Sequence, residues 1–254
     1  MAEVSDYFRN GCFVMLDSGI FESYWNRDST WTFARYGKYT CQIDSDFYCS
    51  FDQLPKKDMS IQHFSRLTMR SIKSSAMISK SSQAVPVIHG ISPEQLIQML
   101  RKLMAVMKVV PIVAVAERDC GRTISERAKT IVKLREILLN GRQNSIIHLL
   151  GCGDPISLAV YSYCGADMFD SLDWAEFAIE RNELELANIS QLELMNCNCV
   201  ACSRKIKDPI KKVLLHNLRF YQDYGIMLRA MIQRGTLGDF LIERVGLDFL
   251  DRLT

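Results

Sequence analysis

The sequence predicts an α/β fold of the (β/α)8 barrel type, and three observations carry that expectation. Short apolar, β-branched runs alternate with helical patterns, the signature of parallel strands joined by crossover helices. Six such units follow one another before residue 173. Three of the strand-like runs end in, or run into, an aspartate, and a barrel of this kind carries its chemistry at the C-terminal strand ends.

Taken in order, the strand candidates are CFVML (12–16), FYCSF (47–51), VPVIH (85–89), VVPIVAV (109–115), SIIHLL (145–150) and DMF (167–169). Helical periodicity covers 60–78 and 93–108. The second of these opens with Ser92 as N-cap, Pro93 in the first turn, and Glu94 and Gln95 behind it. A further helix is expected over 124–140 behind Thr123 or Ser125, and a short one after Asp154-Pro155. After Asp173 the alternation stops. Residues 174–208 read as irregular, and 209–247 as two helices separated near Gly235. The expected organisation is therefore a barrel-like part over 1–173 and a C-terminal part over 174–254. The aspartates at the strand ends are Asp17, Asp52 and Asp170, with His89 ending a fourth strand. Turn-forming Asp is ordinary at strand ends, so one case would mean little. Three, with a histidine, mark a candidate site.

Composition narrows the setting. Hydrophobic residues make up 48% and charged residues 24% of the chain, ordinary values for a globular protein. No apolar run is long enough to span a membrane. MAEVSDYFRNGCFVML has an early Glu and Asp and lacks the basic and apolar regions of a signal peptide. Nine cysteines without a secretion signal argue for a reducing compartment, with the cytoplasm as the default. A net charge of +2 advertises no nucleic-acid binding by itself, so any such contact must come from local patches. One candidate is SRKIKDPIKK (203–212), where Arg204, Lys205, Lys207, Lys211 and Lys212 outweigh Asp208. A second spans 65–80, with Arg66, Arg70, Lys73 and Lys80. Either also reads as a solvated helix face.

MNCNCVACSRK (195–205) places Cys197, Cys199 and Cys202 within six positions. C-x-C-x-x-C brings three thiolates close enough to share one ion, and tetrahedral zinc wants a fourth ligand. His216, on an expected helix, is the nearest histidine downstream. A Cys3His structural zinc (Zn2+) site is the first reading. A redox C-x-x-C pair, or cysteines buried as small apolar residues, are the alternatives.

These blocks together resemble the queuine/archaeosine tRNA-ribosyltransferases, the tRNA-guanine transglycosylase family. The resemblance rests on the cysteines followed by HNLRFYQ, and on LDSGIFES (16–23), FDQLP (51–55), VIHGIS (87–92), LLGCGDP (149–155) and GADMFDS (165–171), in the family's order. It covers residues 12 to 245 or so. It implies a barrel enzyme that removes guanine from tRNA and installs a 7-deazaguanine through a covalent aspartyl-ribose intermediate. By block match Asp170 would be the nucleophile, Asp17 the proton-handling carboxylate and Asp52 an acceptor for the guanine edge, the three lining one pocket. His89, Gly90, Ala116 and Glu117 would contact the base.

Departures accompany the match. Only 16 residues precede Asp17, where family members have a segment supplying the first two barrel strands. The resemblance thus implies a barrel lacking its first strands, closed differently, or completed by a partner chain or a second copy. Gln-Gly becomes His89-Gly90, and Gly-Gly becomes Val115-Ala116 ahead of Glu117, Arg118 and Asp119. That charged run could bind a substituent or a phosphate, or cap the next helix. The basic loop of the bacterial enzymes is replaced by the acidic LDWAEFAIERNELE (172–185), which is closer to the archaeosine branch or to relatives that insert deazaguanines into DNA. The alternatives to an active transglycosylase are a non-catalytic nucleic-acid-binding subunit and a fragment that folds poorly alone.

Overall fold

The computed structural model describes residues 11–54 and 59–253. Pro55, the last residue of the FDQLP block, lies outside them. They divide into two compact units: the first takes in Met1–Cys120 and Glu136–His148, the second Gly121–Arg135 and Leu149–Thr254. Among the described residues no helix is long and apolar enough to cross a membrane.

The first unit alternates strands and helices, as the apolar periodicity implies. Strand β1 (Met15–Leu16) leads into two helices that the sequence reading did not anticipate, α1 (Ile20–Trp25) and α2 (Phe33–Thr40). Thr32 caps α2 by accepting the Arg35 N–H. Then come β2 (Phe47–Cys49), α3 (Ile61–Ser75), β3 (Gln83–Val85), β4 (Val87–Ile88), α4 (Pro93–Val106) and β5 (Ile112–Ala116). The strands run parallel: Leu16 is opposite Tyr48, Tyr48 opposite Ala84, and Val87 opposite Ala114. Every residue of β5 is buried, as in a parallel sheet covered on both faces. The α/β reading with parallel strands is therefore found.

The run expected as one strand over 85–89 is two, and Pro86 is the reason. Proline has no N–H for a ladder, so the chain changes partner across it: β3 pairs with β2, and β4 with β5. The Pro86 carbonyl still accepts the Ala114 N–H at 2.9 Å.

Helix α5 (Ile124–Asn140) and strand β6 (Ile146–Leu150) each carry the chain from one unit to the other. In the second unit α6 (Pro155–Tyr163) starts as expected, with Asp154 capping the Ser157 N–H and Pro155 in the first turn. Strand β7 (Met168–Asp170) and the short helix α7 (Asp173–Glu176) follow. The segment 174–208, expected to be irregular, holds an antiparallel hairpin, β8 (Phe177–Glu180) with β9 (Glu185–Asn188). Its signal is masked because the adjacent Ala178 and Ile179 are both buried, which defeats alternation. A 3-10 helix (Ile189–Leu194) and α8 (Val200–Ser203) lead to the long α9 (Pro209–Arg234), capped by Asp208 and stopped by Gly235 at φ 71°. Helices α10 (Leu237–Val245) and α11 (Leu247–Asp251) complete the chain.

Candidate active site and metal centre

Four side chains of the first unit meet just past the C-terminal ends of its strands. Asp52 follows β2 on a firmly held loop. The Phe51 N–H donates to Ser75 Oγ at 2.9 Å, and the Phe51 carbonyl accepts the Ser71 hydroxyl. The Phe51 ring is buried with Tyr36 and Tyr48. His89 follows β4, and Asp119 sits in a 3-10 turn (Glu117–Cys120) after β5. Ser18 precedes α1, its carbonyl accepting the Trp31 indole N–H at 2.8 Å. Ser18 Oγ donates to Asp52 Oδ1 at 2.5 Å. His89 Nε2 lies 2.9 Å from Asp52 Oδ2, and Nδ1 lies 2.6 Å from Asp119 Oδ2. The serine hydroxyl points at a carboxylate rather than at the imidazole, so this is not a nucleophilic Ser–His pair.

The histidine is 3% and Asp52 8% exposed. Burial alone would hold the imidazole neutral. The hydrogen bonds to Asp119 and Asp52, and the charges behind them, overcome it and bring His89 up to about 9.

Asp17 stands beside this group on the solvent side. Its Oδ2 accepts the Gly19 N–H at 2.8 Å, a turn that Gly19 permits at φ 70°. Crowding by protein atoms raises its carboxyl to about 6; the charges of Asp52 and Glu22 add to the rise and the Gly19 N–H opposes it. Arg118 lies over the Phe21 ring at 4.8 Å.

The other residues named for base contact fall nearby in the chain, with different duties visible. Gly90 is buried, and a Cβ there would lie 2.7 Å from the Leu96 backbone nitrogen, so the start of α4 requires glycine. Its N–H points to Asp119 Oδ2 at 3.4 Å. Ala116 is buried and Glu117 half-buried. Trp31 packs into the Tyr36–Tyr48–Phe51 cluster, whereas Trp25 is exposed.

Asp170 belongs to the second unit, exposed at the end of β7. Its Oδ1 accepts the Gly151 N–H at 2.9 Å and its carbonyl accepts the Cys152 N–H at 2.8 Å. The Gly151-Cys152-Gly153 turn is tight because a Cβ on Gly153 would lie 2.6 Å from Asp173 and Ser171 side-chain oxygens. Tyr221 donates its hydroxyl to the Gly153 carbonyl at 2.5 Å.

Cys197, Cys199, Cys202 and His216 converge in the same unit, their ligand atoms within 4.8 Å of one another. Tetrahedral zinc with bonds of about 2.3 Å to sulfur and 2.0–2.1 Å to nitrogen demands sulfur–nitrogen separations of about 3.5–3.6 Å. The three sulfurs lie 3.6, 3.5 and 3.3 Å from His216 Nδ1. The fully buried His216 donates Nε2–H to the Ile179 carbonyl at 2.8 Å, which leaves Nδ1 as the metal-facing atom. Burial also lowers its affinity for a proton, favouring the neutral ligand form. The donor set fits structural zinc.

Asn217 supports the ligand next to it. Its Oδ1 accepts the Ile179 N–H at 3.1 Å, and its Nδ2 donates to the Trp174 and Phe177 carbonyls at 2.7 and 2.6 Å. Of the basic patch, Arg204, Lys205, Lys207 and Lys211 are exposed and Lys212 is half-buried. Sequence reasoning left Ser18 and Asp119 without a role in the cluster. Their partners are 34 and 30 residues away, beyond the reach of any local motif.

A family model described as queuine tRNA-ribosyltransferase matches residues 17–246. The tRNA-guanine(15) transglycosylase of Methanocaldococcus jannaschii is 30% identical over 129 residues, which are 43% of this chain and 20% of that protein. The protein of the same name from Thermococcus onnurineus is 28% identical over 115 residues, 41% of this chain and 20% of its own length. That from Methanopyrus kandleri is 30% identical over 70 residues, 26% of this chain and 15% of its own. The chain thus aligns with about a fifth or less of the length of these relatives.

Proposed function

This chain belongs to the queuine tRNA-ribosyltransferase family, and on that premise we propose that it exchanges guanine in tRNA for a 7-deazaguanine. The observation that carries the reading is the aspartate set. Asp17 and Asp52 each stand just past the C-terminal end of a parallel strand, and Asp170 at the C-terminal end of β7, the end at which a (β/α)8 barrel holds its catalytic groups.

The Asp170 carboxylate attacks C1′ of the target nucleoside as the C1′–N9 bond breaks, giving an aspartyl-ribose ester. The electron pair of the broken bond passes to the base, which leaves with a proton from Asp17. The incoming 7-deazaguanine returns a proton to Asp17 as its N9 attacks C1′ and displaces the Asp170 carboxylate. A carboxyl raised to about 6 suits that double duty near neutral pH. Asp52 accepts hydrogen bonds from the donor edge of the base, and the target nucleotide leaves its stack to be read. Arg204, Lys205, Lys207, Lys211 and Lys212 meet backbone phosphates. Cys197, Cys199, Cys202 and His216 would hold zinc as a structural ion, since four protein ligands would leave no open position for substrate.

The test is exchange of labelled guanine into purified tRNA and into duplex DNA, side by side, with Asp170→Asn as the control. Label entering tRNA, and lost in the variant, is the expected result. Label entering DNA alone would move the substrate to DNA, and label in neither from folded, zinc-loaded protein would leave a non-catalytic binding role.

A further inference from the structure

The cluster around His89 has a hydrogen-bond inventory that, with both carboxylates ionised, only the imidazolium satisfies. Ionised carboxylates accept but do not donate, and a neutral imidazole carries one N–H. His89 faces a carboxylate oxygen through each ring nitrogen, at 2.6 and 2.9 Å. A neutral ring would set a nitrogen lone pair against one of them. The imidazolium satisfies both. Asp119 also faces two further donors: the Gly90 N–H points at its Oδ2, and Arg118 Nε lies 3.8 Å from its Oδ1.

We propose that Asp119 is a positioning residue that acts through His89: it holds the ring as an imidazolium, and the imidazolium fixes Asp52 as an oriented anion. This rests on the reading of Asp52 as the base-binding carboxylate. Ser18 takes one lone pair of Asp52 Oδ1 and His89 one of Oδ2. Each oxygen keeps another, so the pair presents two adjacent acceptors, the complement of a base edge with two adjacent N–H donors. A buried acceptor pair of this kind rejects a base that lacks one of the donors, because the acceptor would be left unpaired. His89 and the Gly90 N–H, each already engaged inside the protein, then serve the base indirectly.

The charged groups around the ring are few enough to make the test clean. Asp52 comes from the loop after β2, Asp119 and Arg118 from the turn after β5, and Asp17 stands next to Asp52 with Glu22 near it. Helix α4 contributes the neutral Gln95, which accepts the Ile91 N–H.

Two readouts test the proposal. The first is the histidine ring-proton NMR titration, with the His89 signal assigned by its loss in His89→Gln. In the wild type it should remain charged through neutrality and titrate at about 9. In Asp119→Asn the midpoint should fall by about 1–3 units, the usual effect of losing an adjacent opposite charge. The second is guanine affinity against pH. Asp119→Asn should bind like the wild type at pH 6 and about tenfold more weakly at pH 8.5. In His89→Gln, which has no group to titrate, the same Asp119 change should add no pH dependence.

A wild-type His89 that is neutral at pH 7 would overturn the proposal, and so would an Asp119→Asn titration unchanged from wild type. A loss of affinity equal at every pH would reduce Asp119 to a structural residue. If the titrations behave as expected but guanine binds at no pH, the ion-paired ring stands and the assignment of Asp52 to guanine falls.

Discussion

Replacing Cys202 by serine removes one of four ligand atoms from a cluster whose spacing already matches a tetrahedral ion. Structural zinc in Cys/His sites of this kind contributes about 10–16 kcal/mol of apparent binding free energy near neutral pH. Shared over four ligands, one thiolate accounts for about 2.5–4 kcal/mol, or two to three decades of zinc affinity. The loss should be felt by the fold as well as by the ion. Beside the site Ala178, Leu192 and Val213 form a buried cluster, with Ile189, Met195 and Cys202 against them. Small cores of this kind are commonly reinforced by a metal staple. Hairpin β8–β9 is also tied to the ligand set through the Ile179 carbonyl on His216. The assay is zinc competition against a chromophoric chelator, paired with amide hydrogen exchange over Phe177–Glu180 and Glu185–Asn188. The wild type should hold one zinc and protect these amides. Cys202→Ser should lose the affinity stated, and chelation should expose the same amides in the wild type. A variant that keeps wild-type zinc affinity, or a hairpin equally protected with and without the ion, would refute the reasoning.

Three further outcomes are expected. Asn217→Leu removes the side-chain partner of one buried N–H and two part-buried carbonyls; at about 1–3 kcal/mol each the loss should reach roughly 3 kcal/mol or more in denaturant unfolding of the zinc-loaded protein, and an unchanged midpoint would contradict it. His89 is raised from 6.5 to about 9 on folding. Its contribution is therefore fully present below pH 6.5 and lost as pH rises through 9, about 3 kcal/mol in all. That loss should be visible as the difference between wild type and His89→Gln in urea unfolding across this window, and parallel curves would count against it. Asp17, with its carboxyl at about 6, must start protonated to give the leaving base its proton and then act as a carboxylate to take the proton of the incoming base. Exchange should then peak near pH 6 and fall on either side, and Asp17→Asn should cost about 10²–10⁴ in rate; a variant with near-wild-type exchange would remove Asp17 from proton transfer.

What could be read in the sequence was what depends on neighbours along the chain. The apolar run FYCSF marked β2, and Ser92-Pro93 marked the start of α4, because strand burial and helix capping act within a few residues. C-x-C-x-x-C marked three of the four residues that could hold a metal for the same reason. Pro86 was equally local, yet its effect lay in which strand each side of it pairs with, and pairing is settled across the sheet. Helix α1 escaped because its exposed aromatics give no clean apolar stripe: Phe21, Tyr24 and Trp25 all face solvent.

The aspartates illustrate where local reading stops. Asp52 and Asp119 look alike in sequence, each an acid just past an apolar run. The fold gives them unlike tasks, and His89 between them is the reason. A ring with one carboxylate partner could serve as a neutral donor toward a ligand. With two, it is a buried cation whose N–H groups are both committed. The role of His89 is thus intelligible only together with Asp119, since a ring with its N–H groups free could donate to the base whereas this imidazolium donates inward. Selectivity for the base then passes to the remaining lone pairs of the Asp52 oxygens. Their orientation is set 67 residues further along the chain, at Asp119.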